Sequence, residues 1–237
     1  PTFIVLGIAG SAYLLILLLV LRPDRPGPAE LRFRSSLSGL RRTAGFVPLA
    51  AAFGAVSVAN WLIYTWLPMF LFERFQMSLR DAGFYATVYI QVASYAGMLA
   101  GGTLADRWAM HTPRARVYCQ IAAVALTAPL LVVLSLNHSR ARLPVILILI
   151  GLCRPLFDIN TVPVLRQIAP AAWCATGYGI FNMVGCFAGG LAAASAGSLK
   201  ETLGLAAAYQ IAAAVLLVGA FALTRIPAPP SPKAGIS

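Results

Sequence analysis

The chain has 237 residues, of which 59% are hydrophobic and only 11% charged, with a net charge of +11. A soluble domain carries about 25% charged residues, so this composition excludes an ordinary globular surface and points to a polytopic membrane protein. The basic residues gather in particular connections and form no stripe for nucleic acid, so no nucleic-acid partner is expected.

Apolar runs lie at 3–21, 44–72, 84–105, 117–136, 143–165, 172–197 and 203–224. A helix needs about 20 apolar residues to cross a hydrocarbon core of ~30 Å. The strict alternation of outer-membrane strands is missing, and in lipid the backbone must satisfy itself. The expected fold is therefore all-α, with seven transmembrane helices.

The first run (1–21) opens directly after Pro1, with no initiator Met and no basic segment before it. It ends in Arg-Pro-Asp-Arg-Pro instead of a small-residue cleavage site, which argues against a signal peptide. The expectation is that natural sequence precedes it. Residues 22–45 then form a basic linker with Pro23, Pro26 and Pro28 ahead of Arg32, Arg34, Arg41 and Arg42. A short interfacial amphipathic helix is expected near 31–42.

In the 44–72 run, Ser57, Asn60 and Tyr64 follow a helical stripe. Ser78-Leu79-Arg80-Asp81 resembles a capping box opening the next helix, in which Gln91 and Tyr95 form a second stripe. That helix closes on Gly101-Gly102-Thr103-Leu104-Ala105-Asp106-Arg107. The glycine pair lets two helices approach closely, and Asp106 and Arg107 set opposite charges at the membrane surface.

The 143–165 run carries the costliest residues. Arg154 lies at its centre with Asp158 one turn on, near the bilayer midplane, where a charge costs ~2.5–3.5 kcal/mol and marks a cavity or a partner. Their i, i+4 spacing puts them within ion-pair reach, and Gly151 and Pro155 mark a bend at the same depth. In the 172–197 run, Tyr178 and Asn182 share a face with Gly185 and Gly189. Each polar stripe serves either a solute cavity or interhelical packing. Asn60, Tyr64, Gln91, Arg154, Asp158 and Asn182 are expected to converge on one concave face.

The Arg-rich linker, the connection holding Arg107, Arg114 and Arg116, Arg166, and the tail with Arg225 and Lys233 fall on one side. The other connections hold Arg74, Arg80, Arg140, Arg142 and Lys200. The richer side is expected to be cytoplasmic, C-terminus included. Residues 46–226 then divide into three-helix units entering from opposite sides, the layout of an inverted 3+3 repeat, and 227–237 read as a disordered tail. Cys119, Cys153, Cys174 and Cys186 have no metal or redox spacing. No nucleotide loop, nucleophile constellation or metal-ligand cluster is present, so neither an enzyme nor a cofactor is expected.

Gly102-Thr-Leu-Ala-Asp106-Arg107 between two spans resembles the G-x-L-A-D-R loop signature of the major facilitator superfamily. Tyr64-Thr-Trp66-Leu67-Pro68 and Ala175-Thr-Gly-Tyr178-Gly-Ile-Phe-Asn182 resemble its anion:cation symporter branch. Gly151-Leu-Cys-Arg154-Pro-Leu-Phe-Asp158 resembles sugar or sugar-acid carriers. The chain departs from the signature at Ala109 and Met110-His111, with Arg114 and Arg116 displaced along the loop. The resemblance implies that 1–21 is an orphan helix equivalent to helix six, and that 46–226 is the C-terminal six-helix half of a twelve-helix transporter of a bacterial inner (plasma) membrane. Its N-terminal half would be the missing partner. It further implies alternating access for a small organic anion such as a hexuronate, a coupling ion (H+ or Na+), and a gate at Asp106 and Arg107. A neutral-sugar carrier is the alternative, with Arg154–Asp158 as a structural pair. A seven-helix receptor is a distant third, since no span holds a lysine for a retinal Schiff base.

Overall fold

The structure is a computed structural model that describes residues 2–20 and 33–227. The proline-rich start of the expected linker and the tail beyond 227 lie outside the described residues. The described residues form helices joined by short turns, with no strand among them. They fall into two compact units divided at Arg32 and Phe33.

The first unit contains α1, Thr2–Val20. It carries no charge and is apolar on all sides, the pattern of a helix that meets lipid or protein all round. The second unit opens with α2, Phe33–Arg42, the amphipathic helix expected near 31–42. Its Ser36 and Leu40 are buried while Arg41 and Arg42 face outward. It packs against α9 and α3 (below), where the Trp173 indole sits over Gly39. That contact needs the absence of a side chain, because a Cβ on Gly39 would lie 2.4 Å from the ring.

The long helix α3, Phe46–Phe75, starts after Gly45 at φ 92° and ends at Gln76 at φ 50°. Its last carbonyls, on Phe75 and Gln76, accept hydrogen bonds from the Arg140 guanidinium, which satisfies groups that a helix end leaves orphaned. The next helical stretch comprises α4 (Leu79–Phe84), a π-helical turn (Tyr85–Tyr89) and α5 (Ile90–Ala109). Ser78 caps it as the sequence predicts, its hydroxyl accepting from the Asp81 N–H at 3.1 Å. Helix α6 is Ala115–Leu136. The expected 143–165 span is split into α7 (Leu143–Cys153) and α8 (Pro155–Ile168), with Arg154 at the joint. Pro155 explains the break: it has no N–H to give the carbonyl four residues back, and its ring clashes with that carbonyl. Helices α9 (Ala171–Thr202) and α10 (Leu205–Thr224) complete the unit.

Five of these stretches are long and apolar enough to cross a membrane: Phe46–Phe75, Ala115–Leu136, Leu143–Ile168, Ala171–Thr202 and Leu205–Thr224. The α4–α5 stretch, which holds the expected 84–105 span, is helical but interrupted by the π turn and closes on Asp106-Arg107.

Helix α3 is central, packed between α9 and α10, and α10 in turn lies on α6. On the other side, α5 packs against α7 and α8. Between apolar helices in lipid, association depends on close van der Waals fit, so small residues mark the contacts. At the α5–α7 crossing, a Cβ on Gly97 would meet the Leu152 carbonyl oxygen at 2.5 Å, and one on Gly151 would meet the Ile90 carbonyl oxygen at 2.5 Å. At the α3–α9 crossing, Gly189 leaves room for the Trp61 indole. Trp66 also ties the same two helices, its Nε1 donating to the Ala193 carbonyl at 2.8 Å.

Candidate functional site

The break between α7 and α8 carries Arg154 toward α3. Its Nη1 donates to Asn60 Oδ1 at 3.3 Å and to the Tyr64 hydroxyl. The guanidinium carbon also stands 5.2 Å from the centre of the Tyr64 ring, a cation–π distance. Asn60 and Tyr64 share a face because they are four residues apart on α3. Sequence spacing, a proline break and one helix crossing thus bring three of the expected residues together.

The other two guanidinium nitrogens differ. Nε is buried with no partner. Nη2 has no hydrogen bond and is not buried. Beneath the group lies an apolar-walled cavity of ≈ 10 Å³, reached by Asn60, Thr127 and Phe157. That volume holds one water at most. Tyr64, against the same guanidinium, is exposed.

Asp158 does not pair with Arg154. It is exposed on α8 and forms no ion pair or hydrogen bond; the two ion pairs among the described residues lie elsewhere. The i, i+4 spacing permits the contact, but the guanidinium is drawn to α3. Gln91 is half-buried and lines a cavity of ≈ 40 Å³ with Tyr64, Pro68 and Thr87, which connects the second stripe to the first. Tyr95, one turn further along α5, is exposed and touches none of these groups. Asn182 is exposed and its Nδ2 donates to the Tyr178 carbonyl of its own helix at 3.0 Å. Tyr178 meets the Phe53 ring edge-on, at 6.3 Å between centroids.

At the end of α5, Asp106 pairs with Arg116 across the turn into α6, at 2.6 Å. Arg107 is exposed and makes no such contact. Arg116 Nη1 also donates to Asn160 Oδ1 on α8 at 3.3 Å. One turn along α6, Gln120 Nε2 donates to the Thr161 hydroxyl at 3.1 Å and the Phe157 carbonyl at 3.3 Å. A polar line thus joins the end of α5 to α8. Sequence reasoning missed Arg116, Gln120, Asn160 and Thr161 as a group. Their signal was available: Arg116 and Gln120 are four apart, and Gln120 is an uncharged polar residue inside an apolar run.

These features define a class: a polytopic membrane protein with a charged, partly open site at a broken helix. The family model of the Major Facilitator Superfamily matches residues 1–193, and the chain belongs to that superfamily. It is accordingly an integral membrane protein of a transporter family, whose members carry solutes and are not enzymes. No curated protein matches the chain.

Proposed function

We propose that this chain carries a small organic anion, a hexuronate or similar sugar acid, with Arg154 as the contact for its carboxylate. The observation behind this reading is the state of the guanidinium. Nη1 is held by Asn60 and Tyr64, Nη2 makes no hydrogen bond, and no carboxylate stands within ion-pair distance of the group, although Asp158 one turn on lies within electrostatic reach. A cation left unpaired at mid-span is expensive, and a substrate carboxylate offsets that cost with a charge-assisted hydrogen bond. In this reading Asn60, Tyr64, Gln91 and Asn182 supply donors and acceptors for sugar hydroxyls, and Tyr95 and Asp158 complete the set expected from the sequence. The neutral-sugar reading needs Arg154 and Asp158 as a closed ion pair, and the lack of an ion-pair contact between them favours the anion reading.

Residues 46–226 act in this reading as the C-terminal six-helix half, with 1–21 as the equivalent of helix six, the C-terminus cytoplasmic, and H+ or Na+ as the coupling ion. The loop signature, and not either end of the chain, carries that assignment. Alternating access then breaks and remakes the Asp106–Arg116 contact, while Arg107 remains free to engage whatever approaches during closure.

Uptake by the full-length protein in membrane vesicles tests the site. Removing one partner of a desolvated charged contact costs ~2–5 kcal/mol, so Arg154→Ala should lower kcat/KM for a hexuronate by about 10² or more. Arg154→Lys should recover only part of that, since an ammonium does not reproduce the guanidinium fork. Unchanged uptake and affinity in both variants, across a panel of organic anions, would remove Arg154 from the site.

A further inference from the structure

We propose that the outward face of α6 holds one anionic glycerophospholipid, its headgroup at Arg142 and an acyl chain along α6. Two open grooves lie on this face. One, of ≈ 610 Å³, runs between α6 and α10 past Ala125, Pro129 and Ala214. The other, of ≈ 800 Å³, lies between the end of α6 and the start of α7 and is bordered by Leu136, His138, Arg142 and Val145. Val133 borders both, so the two grooves adjoin on this face.

Three features select the occupant. Residues 125, 129, 133 and 136 fall at helical spacing on one face of α6, and the run from 125 to 136 rises about 16 Å. That is about half of the ~30 Å hydrocarbon core, the depth of one leaflet. The walls of the α6–α10 groove are apolar except for Gln210, and small residues lie among them, including the buried Ala128 and Ala213, which suits a flexible chain. The charge lies at one end alone. Arg142 is exposed and makes no hydrogen bond or ion pair, and no Asp or Glu borders either groove. Nearby Arg140 is held by the Phe75 and Gln76 carbonyls, and Arg74 by His138 Nε2 at 2.7 Å, which leaves Arg142 as the cation free to meet a phosphate. An exposed guanidinium with no partner at the end of a groove between spans can give a phosphate oxygen a charge-assisted hydrogen bond.

Native mass spectrometry of the detergent-solubilised full-length protein tests this independently of transport. The probes are phosphatidylglycerol, phosphatidylcholine with the same acyl chains, and glycerol 3-phosphate as a headgroup without tails. Phosphatidylglycerol should bind about five-fold more tightly than phosphatidylcholine, and glycerol 3-phosphate should give no adduct at the same concentration. Arg142→Gln, at an exposed position, should erase the difference between the two lipids. Ala214→Phe, also exposed, fills the tail groove and should weaken both. Equal preference in wild type and Arg142→Gln overturns the proposal, as does unchanged binding in Ala214→Phe. Adducts with glycerol 3-phosphate alone would overturn the tail assignment. A dimer that Ala214→Phe dissociates would give the groove to a second copy of the chain and overturn it too.

Discussion

At the residue scale, two arginines have different partners and different consequences. Arg154 has a buried Nε without a partner, an occupied Nη1 and an Nη2 that makes no hydrogen bond, and the proposed function assigns that group to the solute anion. Arg116 is engaged on both sides, by Asp106 and by Asn160. Its pair with Asp106 is partly solvated, the carboxylate side chain being 67% exposed, and contacts of that kind contribute about 0–1 kcal/mol. Asp106→Asn should therefore barely alter the melting temperature of the purified protein. If the pair opens and closes with the transport cycle, the same change should alter the uptake rate several-fold, and Asp106→Arg combined with Arg116→Asp should restore part of it. Equal uptake in wild type, single and double variants would make the pair a bystander. The loop signature in the sequence placed Asp106 and Arg107 at this corner. It could not show that the displaced Arg116, nine residues beyond Arg107, is the actual partner, because that depends on how tightly the chain turns between Ala109 and Ala115.

At the element scale, the two joints of the bundle are a proline break and a set of glycine crossings. Pro155 could be read from the sequence as a bend, and the break falls one residue before it. The π turn at Tyr85–Tyr89 had no sequence signal: its residues suit an α-helix equally well, and π turns arise from how a helix is fitted to its neighbours. The crossings make a controlled prediction. Gly97 meets the Leu152 backbone, which cannot step aside, whereas a Cβ on Gly179 finds nothing within 4 Å. Gly97→Ala should thus destabilise the protein by about 1–3 kcal/mol, the range for overpacking. Gly179→Ala should be neutral or stabilising by up to about 1 kcal/mol, since Ala costs less backbone entropy in a helix. Thermal unfolding of both variants in detergent checks this, and a larger loss for Gly179→Ala would mean that the α5–α7 crossing is mis-packed.

At the scale of the whole molecule, composition alone excluded a soluble domain, because lipid-facing surface needs no charge. Apolar run length located the five stretches long and apolar enough to cross a membrane, out of the seven expected, and Pro155 marked the break in one of them. Side-chain direction at the site was less legible. Arg154 and Asp158 satisfy the spacing rule for an ion pair, yet the α3 crossing offers Asn60 and Tyr64 instead. Asn182 is exposed and spends its amide nitrogen on its own helix. Both outcomes depend on how helices are rotated against each other, which local periodicity does not encode.

The central claim is that a negative charge on the solute is read by Arg154. Competition of labelled hexuronate uptake by unlabelled hexuronate and by the matching neutral hexose tests it most directly, in vesicles carrying the full-length protein. The account predicts that the acid competes at least 10²-fold better than the hexose in wild type, and that Arg154→Lys narrows the ratio. Equal competition by acid and hexose in wild type would contradict it.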